Sequence, residues 1–231
     1  MKIQVVTSWN NKLYEEYAHR FKETYQWPFD LVVYNEDEDM FDKIPNLKKF
    51  IERNKHREVA SFKQDGVRFS YKVYAYTHAI ENCPSDVDGL ICIDADSVFY
   101  KSIDVDWIKK HIHKDDCMMS YLGRGNHYSE CGFLYFNMQH DQTRNYASHM
   151  KKMYDDDEIY SLSEYHDSYI WDYVRKIFEQ NMKVTNNNIG DNEGGHVQVR
   201  SILGTVYDHT KGKRKITGVS PEWINQTKGK Q

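Results

Sequence analysis

Apolar positions in this chain alternate between strand-like runs and helix-like stripes. Met1 to Thr7 is an apolar run that reads as a buried strand, broken by Ser8-Trp9-Asn10-Asn11. From Lys12 to Tyr25 the residues Leu13, Tyr14, Tyr17 and Phe21 recur at helical spacing, which predicts an amphipathic helix. Phe29 to Tyr34 is a second strand, ending in the acidic turn Asn35-Glu36-Asp37-Glu38-Asp39. Strand, helix and strand at this spacing form a βαβ unit and favour a parallel sheet. Residues 40–60 are charged and in part helical, and Gln64-Asp65-Gly66 is a break before a helix from Phe69 to Ile80. Gly89-Leu90-Ile91-Cys92-Ile93 is the most apolar strand and runs straight into Asp94-Ala95-Asp96. Two more strands follow, Cys117 to Leu122 and Gly132 to Phe136, with a loop at Gly123-Arg124-Gly125-Asn126, then helices from Thr143 to Tyr154 and Ser168 to Asn181. Residues 185–196, rich in Asn and Gly, read as a loop. Val197 to Tyr207 has strand character, and the polar tail beyond Trp223 is expected to fray.

The pattern predicts an α/β chain with a mostly parallel sheet, and 231 residues suit one domain. A net charge of −4 argues against nucleic acid as the main partner, because such binders carry a basic excess. The positive charge is local instead, in Lys211-Gly212-Lys213-Arg214-Lys215, which suits a small anionic ligand. Cys83, Cys92, Cys117 and Cys131 lack metal-ligand spacing, so free thiols in a reducing compartment are expected. No signal-peptide pattern and no membrane-spanning apolar stretch is seen, which sets the expectation of a cytoplasmic protein.

The acidic motif is set apart by its context. D-x-D also occurs at Asp37/Asp39, Asp86/Asp88, Asp104/Asp106 and Asp155/Asp157, where solvated surface carboxylates explain it. Asp94 and Asp96 sit instead at the carboxyl end of the most apolar strand, where ligands bind in open α/β sheets. Carboxylates there cost stability unless compensated, either by a divalent cation held on hard oxygens or by a turn that they cap. Near the C-terminus stands His209-Thr210-Lys211-Gly212-Lys213-Arg214-Lys215, where glycine permits close backbone approach and lysine supplies a point charge. By its residues alone this is equally a basic solvated turn.

The pattern His-x-x-Gly-x-x-Lys, together with Asp94-Ala95-Asp96, resembles the glycogenin and lipopolysaccharide galactosyltransferase group of GT-A fold, DXD-motif glycosyltransferases. The resemblance implies a single GT-A, Rossmann-like domain over residues 1–231: a mixed, mostly parallel central sheet flanked by helices, with a nucleotide-binding half (1–100), an acceptor and metal-closing half (101–225) and a frayed tail (226–231). It implies Asp94, Asp96 and His209 as ligands of Mn2+, or of Mg2+, with Gly212 and Lys215 at the diphosphate. Ser129 to Asn137 resembles the glycine-bearing loop and strand that follow the metal motif, with Gly132 leaving room for the donor sugar; a bulge glycine is the other reading. Glu164-Tyr165-His166-Asp167-Ser168 resembles the place of an acidic residue facing the reacting sugar, although Asp167 also suits a helix N-cap. The Pro-Trp that often follows the lysine in the glycogenin group is replaced by Ile216-Thr217.

These expectations describe a hexosyltransferase taking glucose or galactose from a UDP-sugar to a carbohydrate or other hydroxyl acceptor. The donor would bind at Thr7, Ser8, Trp9, Asp94 and Ala95. Retention needs no protein nucleophile, whereas inversion would use Asp167 or Glu164 as general base. Arg68 and Lys72, before the metal strand, would touch donor phosphate or sugar, or be plain surface cations. Asp94-Ala95-Asp96-Ser97-Val98 also fits a haloacid-dehalogenase-like phosphatase with Asp94 as nucleophile, with Ile189-Gly190-Asp191-Asn192 as its later acidic motif. A nucleotide-sugar binding module without turnover is the non-enzymatic alternative.

Overall fold

The run Gly89–Ile93 is buried at every position because it has strands on both sides and packed layers on both faces. In the computed structural model, which describes residues 1–190 and 195–228, eight strands form two sheets. The strands are β1 (Ile3–Trp9), β2 (Asp30–Asn35), β3 (Gly89–Ile93), β4 (Ser97–Phe99), β5 (Cys117–Arg124), β6 (His127–Asn137), β7 (Thr185–Asn188) and β8 (Tyr207–His209). The main sheet has the order β2-β1-β3-β6-β5-β7, and β4 pairs with β8 in a small antiparallel ribbon. In the main sheet β6 alone runs against the other strands, so the sheet is mixed and mostly parallel.

Side chains alternate across this sheet as strand geometry requires. Val6, Leu90, Cys92, Leu134 and Phe136 enter one core, under the helices Gly66–Glu81, Thr143–Asp155 and Asp167–Asn181. Ile3, Val5, Ile91, Ile93, Phe133 and Tyr135 enter the other, under the helical run Asn11–Thr24 and the helix Val105–His111. The run Asn11–Thr24 contains a π-helical turn at Tyr14–Ala18. No helix among the described residues is long and apolar enough to cross a membrane.

Three local expectations are corrected. Residues 185–188 form the edge strand β7, paired parallel with β5, rather than loop. Its asparagines are knitted in by side chains: Asn187 Nδ2 donates to the Ile112 carbonyl (3.0 Å) and to Ser120 Oγ (3.1 Å), and Asn188 Oδ1 accepts from Gly123 N (2.9 Å). Val197 to Tyr207 is not one strand but a helical turn Val197–Arg200, a 3-10 turn Ile202–Thr205 and then β8. Ser201 Oγ folds the chain by donating to the Gln198 carbonyl (2.7 Å) and accepting from Leu203 N (3.2 Å). Gly204 then packs so closely on Val199 that a Cβ would lie 1.9 Å from its carbonyl oxygen. The stretch after Trp223 continues the helix Pro221–Lys228, while residues 229–231 of the expected tail lie outside the described residues.

Phe136 is fully buried against Tyr146 and Trp171. Phe136→Ala is expected to lower the unfolding free energy by about 3–5 kcal/mol, measured by urea denaturation; a loss below about 1 kcal/mol would contradict this packing.

Candidate active site

The carboxyl end of β3 is fixed by backbone and aromatic contacts. Tyr76 OH donates to the Ile93 carbonyl (2.8 Å), and Asp94 N donates to the Gly132 carbonyl (3.1 Å). The Asp96 carbonyl accepts from both the backbone N and Oγ1 of Thr210 (2.8 Å each). The chain then enters β4, whose Ser97 lies opposite His209 of β8. This ribbon is why a histidine so distant in sequence returns to the acidic motif. His209 itself is clamped by neighbours: His196 Nε2 donates to its carbonyl (2.8 Å), and Gln198 Oε1 accepts from its N (3.3 Å). Burial pushes His196 down to about 4, so it serves as a neutral donor.

Asp94, Asp96 and His209 each offer a ligand atom within 4.8 Å of the others. His209 Nε2 lies 3.0 Å from Asp96 Oδ1 and 3.6 Å from Asp94 Oδ2. The donor set, two carboxylates and an imidazole, fits Mn2+ or Mg2+ with further positions open to other oxygens. The buried His209 Nδ1 has no hydrogen-bond partner and lies over Gly132, so Nε2 is the nitrogen turned to the carboxylates. The basic segment also arrives here. Lys215 Nζ is 3.1 Å from Asp96 Oδ2 and lies 4.0 Å from the centre of the Tyr17 ring. The Arg20 guanidinium donates to the Lys215 carbonyl and ties this turn to the Asn11–Thr24 run. Gly212 takes a left-handed backbone conformation with open space where a Cβ would be.

A second cation completes the site. Lys72 Nζ bridges Asp94 Oδ1 and Asp167 Oδ2 (2.7 Å to the latter) and also donates to the Cys131 carbonyl (3.1 Å). Glu130 is paired with Lys211 and with Arg124 (3.1 Å). Burial works to raise both Asp96 and Asp167, but their cationic partners outweigh it and hold both well below the usual carboxylate range. Burial dominates at Asp94, which is raised despite Lys72 and His209. Burial works to lower His209 and Lys72, but the surrounding carboxylates raise both.

Two hollows meet at these carboxylates. One of about 560 Å3 is lined by Ser8, Asn10, Glu36, Arg68, Tyr71 and Lys215 and reaches Asp94, Ala95, Asp96 and Asp167. The other, about 510 Å3, is lined by Phe62, Tyr128, Cys131, Lys211, Gly212 and Arg214 and reaches Asp94, Asp96, Asp167 and His209. Thus Ser8, Ala95, Asp167, Gly212 and Lys215 border the cluster.

Other expected positions lie elsewhere. Thr7 is fully buried beneath the sheet end, and Trp9 packs against Tyr14 and Phe21, so neither faces the cluster. Gly132 leaves room for His209 rather than for a sugar: a Cβ there would lie 2.4 Å from His209 Cε1. Glu164 is held by Lys63 (2.8 Å) and His166 Nε2 (3.1 Å) in a separate hollow. Asp167 is the first helical residue, with His166 in the N-cap position, and its Oδ1 accepts from Ser168 N (2.8 Å). Lys72 is no surface cation; its spacing from Phe69 and Tyr76, three and four residues, already put it on their inward helix face. Tyr17, Glu130 and Cys131 were not singled out, and alternation along β6 held no signal for the latter pair.

No family model matches the chain, and no curated protein matches it. Among solved structures, mouse xyloside xylosyltransferase 1 is 8% identical, over 82% of this chain and 86% of that one, with a TM-score of 0.49. A glycosyltransferase involved in glycosylation of the PBCV-1 major capsid is 9% identical, over 95% and 100%, with a TM-score of 0.48. The glycosyltransferase GlyE of Streptococcus pneumoniae TIGR4 is 11% identical, over 80% and 45%, with a TM-score of 0.44. At TM-scores below 0.5 these likenesses decide nothing; fold and site rest on the geometry above.

Gly132→Ala is expected to displace the His209 ring and weaken Mn2+ binding at least about tenfold, roughly 1.4 kcal/mol, read by calorimetric titration. Unchanged Mn2+ affinity would remove His209 from the cluster. Lys72→Met is expected to destabilise the metal-free protein by about 3–5 kcal/mol at pH 7, because Asp94 and Asp167 stay buried without their partner. Asp167, depressed in the folded state, contributes stability above its ordinary value of about 3.9 that is lost as pH falls. The variant has no such contribution to lose. The deficit should therefore shrink as pH falls below about 4, measured by urea denaturation at several pH values.

Proposed function

We propose that this chain is a metal-dependent glycosyltransferase that moves a hexose, glucose or galactose, from a UDP-sugar to a hydroxyl acceptor with retention of configuration. The observation that carries the reading is the meeting of Asp94, Asp96 and His209 between two hollows, with Lys215 and Gly212 beside them. The mixed sheet, with the acidic motif at the end of its central strand, agrees with the architecture that the resemblance implies. Asp94, Asp96 and His209 would hold Mn2+, or Mg2+. When bound, the ion supplies charge neutralisation at the diphosphate.

The chain's own groups divide the remaining work. Residues of the 1–100 half line the first hollow, where Ser8, Asn10 and Glu36 offer polar partners to the nucleoside. Asn10 Nδ2 donates to Glu36 (2.9 Å), whose carboxyl burial raises, so it is fixed toward the hollow with acceptor capacity to spare. Lys215 stabilises negative charge that builds on the departing UDP, and Gly212, at the wall of the second hollow, leaves open space beside the cluster. Asp167, held ionised by Lys72, faces the sugar and orients its hydroxyls. The acceptor enters through the second hollow, built largely by the 101–225 half. In a retaining reaction the acceptor hydroxyl attacks from the side the UDP leaves, so departing phosphate oxygen takes its proton and no protein base is needed.

A phosphatase with Asp94 as nucleophile fits less well. Lys72 and His209 engage both carboxylate oxygens of Asp94, and the basic C-terminal segment would have no task. Asp191 and Asn192 of its second motif lie outside the described residues. All four cysteines are free and buried, and we place the protein in the reducing cytoplasm.

UDP release from a panel of UDP-sugars, with and without Mn2+, tests the reading and separates it from a binding module. Asp96→Ala is expected to lower Mn2+-dependent release on the order of 10²–10³-fold while thermal unfolding remains cooperative. Full release by that variant, or no release by the native chain from any UDP-sugar, would overturn it.

A further inference from the structure

A third hollow adjoins the second and takes no part in the chemistry just described. It has a volume of about 360 Å3, within the range of about 300–1,000 Å3 typical of ligand sites. Tyr128 lines both, and the two share walls. Lys63 follows Phe62, and Glu164, in the third hollow, is hydrogen-bonded to His166 in the second (3.1 Å). Tyr128 and His166, whose rings pack edge to face at 4.6 Å, form the wall between the two.

Its lining has a definite chemistry. Tyr169 and Tyr173 stand one helical turn apart on the helix that begins at Asp167, so they present their rings on one side. Tyr173 is 37% exposed, an aromatic ring held in solvent that belongs to neither core. The charges around the rings are compensated: Lys63 pairs with Glu164 (2.8 Å), and Lys176 pairs with Asp172 (2.7 Å), which it shares with Arg175 (2.6 Å), itself paired with Glu179 (2.5 Å). Asn126 adds an amide at the rim. A phosphate or nucleotide would call for cations without carboxylate partners. Aromatic rings with polar tips, set among donors and acceptors of no net charge, suit instead a neutral polyhydroxyl ligand, whose C–H faces cover the rings while its hydroxyls take up the polar groups.

We infer that this hollow binds the sugar units of a neutral glycan acceptor beyond the one that reacts, with Tyr169 and Tyr173 as its stacking platform. The inference rests on the transferase reading, and it makes the acceptor an oligosaccharide rather than an isolated hydroxyl compound.

The test is direct binding to the full chain, by calorimetry and saturation-transfer NMR, of maltotriose, cellotriose and xylotriose, with glucose as the single-unit control. At least one trisaccharide is expected to bind, more tightly than glucose, and to bind about tenfold more weakly to Tyr173→Ala. Tyr173→Phe, which keeps the ring, should retain most of the affinity. Thermal unfolding checks that Tyr173→Ala is folded, and Tyr169→Ala gives a second, independent removal of the platform. No binding of any trisaccharide, or binding indifferent to both alanine variants, would overturn the inference. UDP release by the native chain is scored separately. Trisaccharide binding that depends on Tyr173, in a chain that releases no UDP, upholds the glycan site and removes the transfer reading. UDP release with trisaccharide affinity indifferent to the tyrosines does the reverse.

Discussion

The crowding of largely buried carboxylates at the end of β3 is the constraint that organises this molecule. Asp96, Glu130 and Asp167 are buried, and Asp94 stands among them. Left alone they would repel one another and lose hydration, a cost that a protein of ordinary stability cannot carry. The chain supplies the cations from distant elements: Lys72 from the Gly66–Glu81 helix, His209 from β8, and Lys211 and Lys215 from the turn beyond it. The charges that neutralise the site thus arrive on the same segments that pack the C-terminal part against the sheet. This also gives the site a reason to exchange partners. A divalent ion at Asp94 and Asp96 would take over the compensation that Lys215 now provides at Asp96, leaving that ammonium free for phosphate oxygens.

The sheet was legible where burial is symmetrical or alternation is clean. β3 was read residue for residue, since a strand with layers on both faces must be apolar throughout, and the helices Thr143–Asp155 and Asp167–Asn181 were placed within a residue or so by their apolar stripes. It was illegible where side chains replace the usual signals. The Asn run of β7 holds its edge position through amide hydrogen bonds rather than apolar contact. At Val197–Tyr207 an apolar stretch suggested a strand, but the Ser201 turn and the tight Gly204 contact with Val199 fold it back on itself. Local composition cannot report a contact that the rest of the fold imposes.

The site divides along similar lines. Asp94 and Asp96 were singled out because their strand context made them costly, and that argument needs no tertiary knowledge. His209 and Lys215 could be joined to them only through a resemblance, because the β4–β8 pairing that carries His209 back is invisible in either short segment. Gly132 was noticed for its lack of a side chain, but what occupies the freed space is the imidazole of His209. The two motifs, read separately in the sequence, are thus two halves of one steric fit. For Lys72 the sequence leaves a surface role open, because a lysine near a helix start is usually solvated, although its position between Phe69 and Tyr76 puts it on the inward face.

The arrangement of the hollows carries the argument from charge to reaction. Phe69, Asp94, Asp96 and Asp167 border both the first and the second, so a ligand in each would meet the same carboxylates. The first hollow has Arg68 at its wall together with Lys215, held on Asp96, and Lys72, held on Asp94 and Asp167. The second has Lys211 and Arg124 drawn onto Glu130 and Arg214 onto Glu222, so its cations too are held on carboxylates. The two sides differ in what a divalent ion at Asp94 and Asp96 would change: on the first side it would release Lys215 from Asp96, whereas Lys211, Arg124 and Arg214 on the second side would keep their carboxylates. A charged leaving group on the first side would then meet the ammonium that the ion frees, while the second side, with its charges still paired, would suit a neutral hydroxyl.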